Sequence, residues 1–154
     1  DGVMLLVTSP SRDGGAVPAH RVFERDEDLV ASLGEDERGW LGIATIQTAE
    51  SIEAFRSAIL PAIRAADHEF LDTIAPFTFD VAALPAPFPR PALVINGRQD
   101  GQTGYADMLA LTESFPRGTF AVLDRAGHPV VAEQPVLFTA LVNEWLDRVE
   151  REKA

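Results

Sequence analysis

Asp100 and His128 are the residues of this sequence whose types and surroundings suit proton-transfer chemistry. Each lies shortly after an apolar, strand-like run: "ALVIN" (residues 92–96) before the aspartate, "TFAVL" (119–123) before the histidine. Both sit in glycine-containing turns, "GRQDGQTG" and "RAGHP". A carboxylate that accepts an imidazole N–H fixes the ring's tautomer. It also stabilises the imidazolium that forms when the ring takes a proton from a nucleophile. The same residue types have plainer uses, since an aspartate after a strand often shapes a turn and a histidine beside glycine is often a loop residue. A working pair needs both members on one rim of one sheet, which depends on the elements that carry them.

Those elements read as alternating strand and helix. Residues 92–96 and 119–123 are short, apolar and rich in β-branched side chains, as strands buried on both faces of a parallel sheet are. Between them Tyr105, Met108, Leu109 and Thr112 fall at helical spacing. After them Phe138, Leu141, Val142, Trp145, Leu146 and Val149 repeat with the strongest helical periodicity in the chain. Strand, helix, strand, helix in so short a span implies a parallel α/β sheet, in which ligands bind at the carboxyl ends of the strands. Asp100 and His128 would then share a rim.

The earlier chain is less regular. "VMLLV" (3–7) reads as another buried strand. Residues 11–38 are polar, with a short acidic helix over 26–33, and "GWLGIATIQT" (39–48) reads as a strand or a buried loop. Thr48 is a candidate N-cap, with Glu50 in the first turn favouring the positive end of the helix dipole. Ile52, Phe55, Ile59 and Ile63 follow at helical spacing, with Pro61 expected to kink or split that helix. Phe70, Leu71 and Ile74 form a shorter pattern. "LPAPFPRP" (84–91) is a proline-rich connector that suits neither helix nor central strand.

The wording around the pair is more specific than its placement. "LVINGRQD" and "LDRAGHPVVAEQP" resemble the two carboxy-terminal motifs of the α/β-hydrolase superfamily. In that superfamily a strand ends in Gly-Arg-x-Asp carrying the acid, a Gly-His turn about 28 residues later carries the base, and Glu-Gln-Pro opens the last helix. The match falls on Gly97, Arg98, Asp100, Gly127, His128, Glu133, Gln134 and Pro135. The resemblance implies an α/β fold, a partial α/β-hydrolase: a parallel sheet flanked by helices, with an inserted, mainly helical cap. Residues 1–10 would be a core strand, 11–89 the cap, and 90–154 the carboxy-terminal core carrying acid and histidine.

It implies a serine hydrolase acting on a carboxylic ester or related carbonyl compound, with Asp100 and His128 catalytic and no cofactor or metal. A carbon–carbon hydrolase of oxo-dienoate type shares these motifs. A non-catalytic small-molecule binding protein on the same fold is a reading of another class. In the superfamily the nucleophile lies earlier, on a Gly-x-Ser-x-Gly elbow. Ser9, Ser11, Ser32, Ser51, Ser57 and Ser114 all lack that context. Ser9 and Ser11 follow the first strand on the correct rim, but no small-residue elbow precedes them. The chain opens on "DGVMLLV", an apolar run without an initiator methionine. It therefore reads as the carboxy-terminal half of a hydrolase, inactive alone, with its amino-terminal half as partner. A targeting segment upstream stays open.

Other residues have blander readings. His20 and His68 read as surface histidines, since no carboxylate stands at ligand spacing around either. Asp67, Glu69 and Asp72 read as a solvated helix face rather than a cap entrance. Arg98 is expected to pair with a neighbouring carboxylate. Tyr105 suits core packing better than the pocket, and Trp40 and Phe77 suit either a pocket wall or the cap's own core.

Composition bounds the whole. With 154 residues, 46% hydrophobic and 24% charged, the chain is one domain's worth of globular protein. The net charge of −11 repels nucleic acid and anionic membrane surfaces, so neither is an expected partner. A small-molecule substrate is expected, and association of identical copies is left open. No cysteine is present, which excludes disulfides, thiolate metal sites and a cysteine nucleophile within the sequence, and suits a cytoplasmic location.

Overall fold

The computed structural model describes residues 1–10, 16–74 and 87–152. Its centre is a three-stranded parallel sheet in the order β1-β4-β5, built from β1 (Val3–Leu6), β4 (Ala92–Gly97) and β5 (Gly118–Leu123). The register runs Val3 to Ala92 to Gly118 and, at the other end, Leu6 to Ile95 to Ala121. All six residues of β4 are buried. Alternation splits them between two cores, as the period of two along a strand requires.

Ala92 and Val94 pack with Met108, Leu111 and Phe115 on one face. Leu93 and Ile95 pack with Leu123, Ala126 and Val130 on the other, under Phe138, Leu141, Val142 and Trp145. Each such aliphatic side chain stabilises the fold by about 1.5–3 kcal/mol. The central strand is therefore apolar along its length because neither of its faces meets water.

The flanking helices partly follow the sequence pattern. The last helix, α7 (Pro135–Arg151), starts with Pro135 in its first turn, where a missing N–H costs nothing. Five of its six patterned residues face the sheet or are buried, but Leu146 is 42% exposed. The helix expected from Tyr105 to Thr112 is cut short. It is a single turn, α5 (Ala106–Leu109), followed by a 3-10 turn (Thr112–Ser114), and Leu109 points outward. Between β5 and α7 lies another single turn, α6 (Val130–Glu133).

The stretch between β1 and β4 builds a smaller core of its own from Leu33, Trp40, Ala44, Ile52, Phe55 and Leu60. Here α1 (Glu27–Ser32) is capped by the Asp26 side chain, and a 3-10 helix (Glu35–Gly42) takes up the start of the stretch 39–48 expected as a strand or buried loop, of which Ile46–Gln47 is strand. Thr48 caps α2 (Ala49–Ala54), with Ser51 reaching back to the Thr48 amide. Pro61 does not split the following helix. A π-helical turn (Phe55–Ile59) leads straight into α3 (Leu60–Ala65) with the proline in its first turn. One wide turn absorbs the missing donor and the ring's bulk, so the helix continues.

In α4 (His68–Asp72) and just beyond it, Phe70, Leu71 and Ile74 are exposed, so that pattern marks no buried face among the described residues. Two short strands, β2 (Glu24–Arg25) and β3 (Ile46–Gln47), pair in parallel at the border with the main sheet. Phe77, and residues 84–86 of the proline-rich connector, lie outside the described residues. Among the described residues no helix is long and apolar enough to cross a membrane.

Candidate active site

The carboxyl ends of β1, β4 and β5 converge, and the turns that leave them carry the candidate residues. The first strand stops at Leu6 because Val7 turns left-handed, with φ of 43°. A β-branched residue in that region is strained by about 1–3 kcal/mol. Val7 is held there by its N–H, which reaches Ile95 O at 2.8 Å, and its carbonyl lies 3.1 Å from the Thr103 hydroxyl. Asn96, buried at the end of β4, donates its side-chain amide to Thr8 O and to Gly104 O. It thereby joins the exit of β1 to the acid-bearing turn.

Asp100 is completely buried. Its Oδ1 accepts the amides of Gln102 (2.8 Å) and Thr103 (3.1 Å), and its Oδ2 lies 2.8 Å from the Thr103 hydroxyl. That hydroxyl has one proton within reach of both Oδ2 and Val7 O, and the charged acceptor is the stronger one. The His128 Nδ1 stands 3.1 Å from the same Oδ2. Burial pushes the Asp100 carboxyl up, but the His128 ring, the two amides and the hydroxyl pull it further down, and the net shift is downward. An ionised carboxylate only accepts, so Nδ1 is the donor in this contact, and in the neutral ring Nε2 carries the lone pair.

The histidine-bearing turn is fastened to the acid-bearing turn over very short range. Gln99, one residue before the acid, donates its backbone N–H to Ala126 O and its side-chain amide to Asp124 Oδ1. Its side-chain carbonyl accepts the Ala126 amide. Gly97 lets the two backbones touch, because a Cβ there would collide with the carbonyls of Ala126 and Gly127. Gly127 is equally crowded, by Ile43 O and the Thr45 hydroxyl. Arg125, with φ of 54°, turns the chain left-handed into the histidine and ion-pairs with Glu24 of β2.

Glu133 completes the frame. Its Oε2 accepts the Gly127 amide at 2.6 Å, and its Oε1 accepts the amides of Ile46 (2.7 Å) and Thr45. Burial raises its pKa, and the three amides and the charge of His20 only partly offset that. Gln99, Asn96 and Glu133 were not legible as site builders. The first two carry no sequence signal, and Glu133 is marked only by its place in the Glu-Gln-Pro motif.

The remaining candidates fall outside the pair. His20 is exposed; its Nε2 lies 3.0 Å from Ala44 O, and its backbone passes beside Gly101 of the acid-bearing turn. His68 is exposed, with Nε2 3.1 Å from Ile63 O. Asp67 caps α4 through the Phe70 amide, while Glu69 and Asp72 are exposed. Trp40 lies fully buried in the smaller core.

Arg98 stacks over the Tyr105 ring, 5.0 Å from its centroid, and lends its charge to Asp124, with no ion pair of its own among the described residues. Ser9 follows β1 on the rim, and Ser11 lies outside the described residues. Among the described residues, no group of three or more His, Asp and Glu side chains is arranged to hold a metal.

The fold matches a known architecture. An alpha/beta superfamily hydrolase from Oenococcus oeni PSU-1 superposes with a TM-score of 0.80 over 97% of this chain, at 21% identity. The fold is that of the α/β-hydrolases. A thermophilic esterase superposes with a TM-score of 0.56 over 96% of the chain, at 20% identity. The chain spans 58% and 56% of the length of these two α/β-hydrolase-fold structures. No family model and no curated protein matches the sequence.

Proposed function

We propose that Asp100 and His128 are the acid and base of a serine hydrolase that cleaves a carboxylic ester or a related carbonyl compound. The observation that carries this reading is the 3.1 Å contact between His128 Nδ1 and the fully buried Asp100 Oδ2. It leaves His128 one-third exposed, with Nε2 as the nitrogen that takes a proton. The hydrolase and the esterase that share the fold support the same class of reaction.

In this mechanism a serine hydroxyl gives its proton to His128 Nε2 as its oxygen attacks the carbonyl, and Asp100 stabilises the resulting imidazolium. The imidazolium returns the proton to the leaving alcohol, and an acyl-enzyme forms. His128 then takes a proton from water, which attacks the acyl group, and gives it back to the serine oxygen. The nucleophile is assigned to a Gly-x-Ser-x-Gly elbow outside these 154 residues, because no serine here has that context. Residues 11–89 act as the cap that encloses the substrate.

The test is fluorophosphonate labelling of the protein expressed from its complete reading frame, with the adduct located by peptide mass mapping. An adduct on a serine outside residues 1–154 that is lost in His128→Ala is the expected result. An adduct on Ser9 or Ser11 would keep the hydrolase and overturn the assignment of the nucleophile. A folded protein that takes no label would favour a binding protein on this fold.

A further inference from the structure

We infer that Glu133 is a positioning residue: its carboxylate latches the histidine-bearing turn to residues 45–46 and so sets where the His128 ring stands against Asp100. The inference deepens the acid–base reading and rests on it. Glu133 touches no reacting atom. It acts on the amide of Gly127, the residue just before His128, with one oxygen, and on the amides of Thr45 and Ile46 with the other.

Three N–H donors from two distant stretches of chain thus meet on one carboxylate. Charge-assisted bonds of this kind are roughly twice as strong as neutral ones. The approach is possible only because Gly127 lacks a side chain: a Cβ there would strike Ile43 O and the Thr45 hydroxyl.

The geometry makes the base, and not the acid, the adjustable member of the pair. Asp100 is fixed from below by the amides of Gln102 and Thr103, within its own turn. Within the His128 turn the Asp124 carboxylate takes only the Arg125 amide, at the end away from the histidine, where Gln134 also reaches Asp124 O. Gln99 holds its near end at Asp124 and Ala126, and Glu133 holds its far end at Gly127.

The stretch that Glu133 grips also belongs to the smaller domain-like unit. Ile46 pairs with Glu24, and Glu24 ion-pairs with Arg125 of the histidine-bearing turn. Residues 24–46 therefore hold that turn at two points, three residues before the histidine and one residue before it. A shift of this segment is transmitted to the imidazole.

The test is nuclear magnetic resonance on the protein and three variants, reading amide exchange and the nitrogen-15 shifts that report the His128 tautomer. Glu133→Gln keeps the shape but replaces one acceptor oxygen by an NH2 that faces an N–H. The expected result is exchange about ten-fold faster at Gly127, Thr45 and Ile46, with Val94 and Ile95 of β4 unchanged. The Nδ1–H tautomer of His128 is expected to lose population in the same variant.

Glu133→Asp keeps the charge and withdraws it by one methylene. It should move the same three amides in the same direction, and it decides the matter if Glu133→Gln fails to fold. Unchanged exchange at the three amides, or faster exchange with the His128 ring unaltered, overturns the inference. Asp100→Asn separates the two readings, since it should abolish the tautomer preference while leaving the three amides protected. A starting protein without that preference would sink the acid–base reading instead. The His128 ring shifts in Glu133→Gln would still decide whether the latch positions the ring.

Discussion

Asp100 stands in the acid-bearing turn and Glu133 ends α6, just beyond the histidine-bearing turn, and both are carboxylates that collect backbone N–H groups. Glu133 gathers three amides and Asp100 two, yet it is Asp100 whose pKa falls and Glu133 whose pKa rises. Burial pushes both upward. The difference lies in the side-chain donors, because Asp100 adds the His128 ring and the Thr103 hydroxyl, whereas Glu133 has only the more distant charge of His20 to help. Amides alone do not outweigh the desolvation of Glu133. For Asp100 the imidazole, the hydroxyl and the two amides together do so, which makes Asp100 the member fit to stabilise a developing positive charge.

The largest effect expected from this contrast is catalytic. Asp100→Asn keeps the size of the side chain but presents a donor where His128 needs an acceptor. It should lower kcat by about 10⁴-fold in the hydrolase, measured as ester turnover by the protein from its complete reading frame. An active Asp100→Asn enzyme would dissolve the distinction between the two carboxylates.

A structural probe should come next in size. Gly127→Ala places a methyl group against Ile43 O and Thr45, wedging open the contact that Glu133 closes. A loss of about 1–3 kcal/mol in denaturant unfolding is expected, with Glu133→Gln adding less in the double variant than alone. Additive losses would mean that the glycine and the carboxylate act independently.

The pH dependence should separate the two groups by sign. A carboxyl whose folded pKa is depressed contributes stability present above its unfolded pKa, near about 4, and lost as pH falls through the folded value. Asp100 should therefore steepen the acid limb of Tm against pH, and Asp100→Asn should flatten it below about pH 4. Glu133 runs the other way. Its folded pKa is raised, so its contribution is full below about 4.3 and is lost as pH rises through the folded value. Glu133→Gln should remove that decline on the high side. Identical limbs in the two variants would contradict the opposite shifts.

The smallest effect belongs to Gln99. Gln99→Ala removes two side-chain bonds between the turns, and a loss of about 1 kcal/mol is expected, with faster amide exchange at Ala126. No change at Ala126 would mean that the Gln99 side chain adds nothing to the backbone bond from Gln99 N–H to Ala126 O.

The sequence made Asp100, His128, their two strands and the last helix legible because each is signalled locally. An apolar run, a glycine turn and a 3.6-residue period all act within a dozen positions. Glu133 stood inside a readable motif, but its partners Thr45 and Ile46 lie 88 and 87 positions away, and no local pattern names them. Asn96 and Gln99 failed for the same reason, as ordinary polar residues whose value depends on which turn crosses above them.

Pro61 and Leu146 show the converse. Their local signals were strong, and the structure answered Pro61 with a π-helical turn instead of a split and set Leu146 in an outward-facing position on α7. Trp40 was readable as an apolar anchor, but only packing assigned it to the smaller core.

The reach of the Glu133 contact along the chain also sets an order of events in folding. The Asp100–His128 bond closes a loop of 28 residues, whereas the bond from Thr45 to Glu133 closes one of 88. For flexible chains the longer closure costs about 1 kcal/mol more in lost entropy. A refolding chain should therefore bring acid and base together first, on a freely swinging turn, and lock that turn only when the distant stretch arrives.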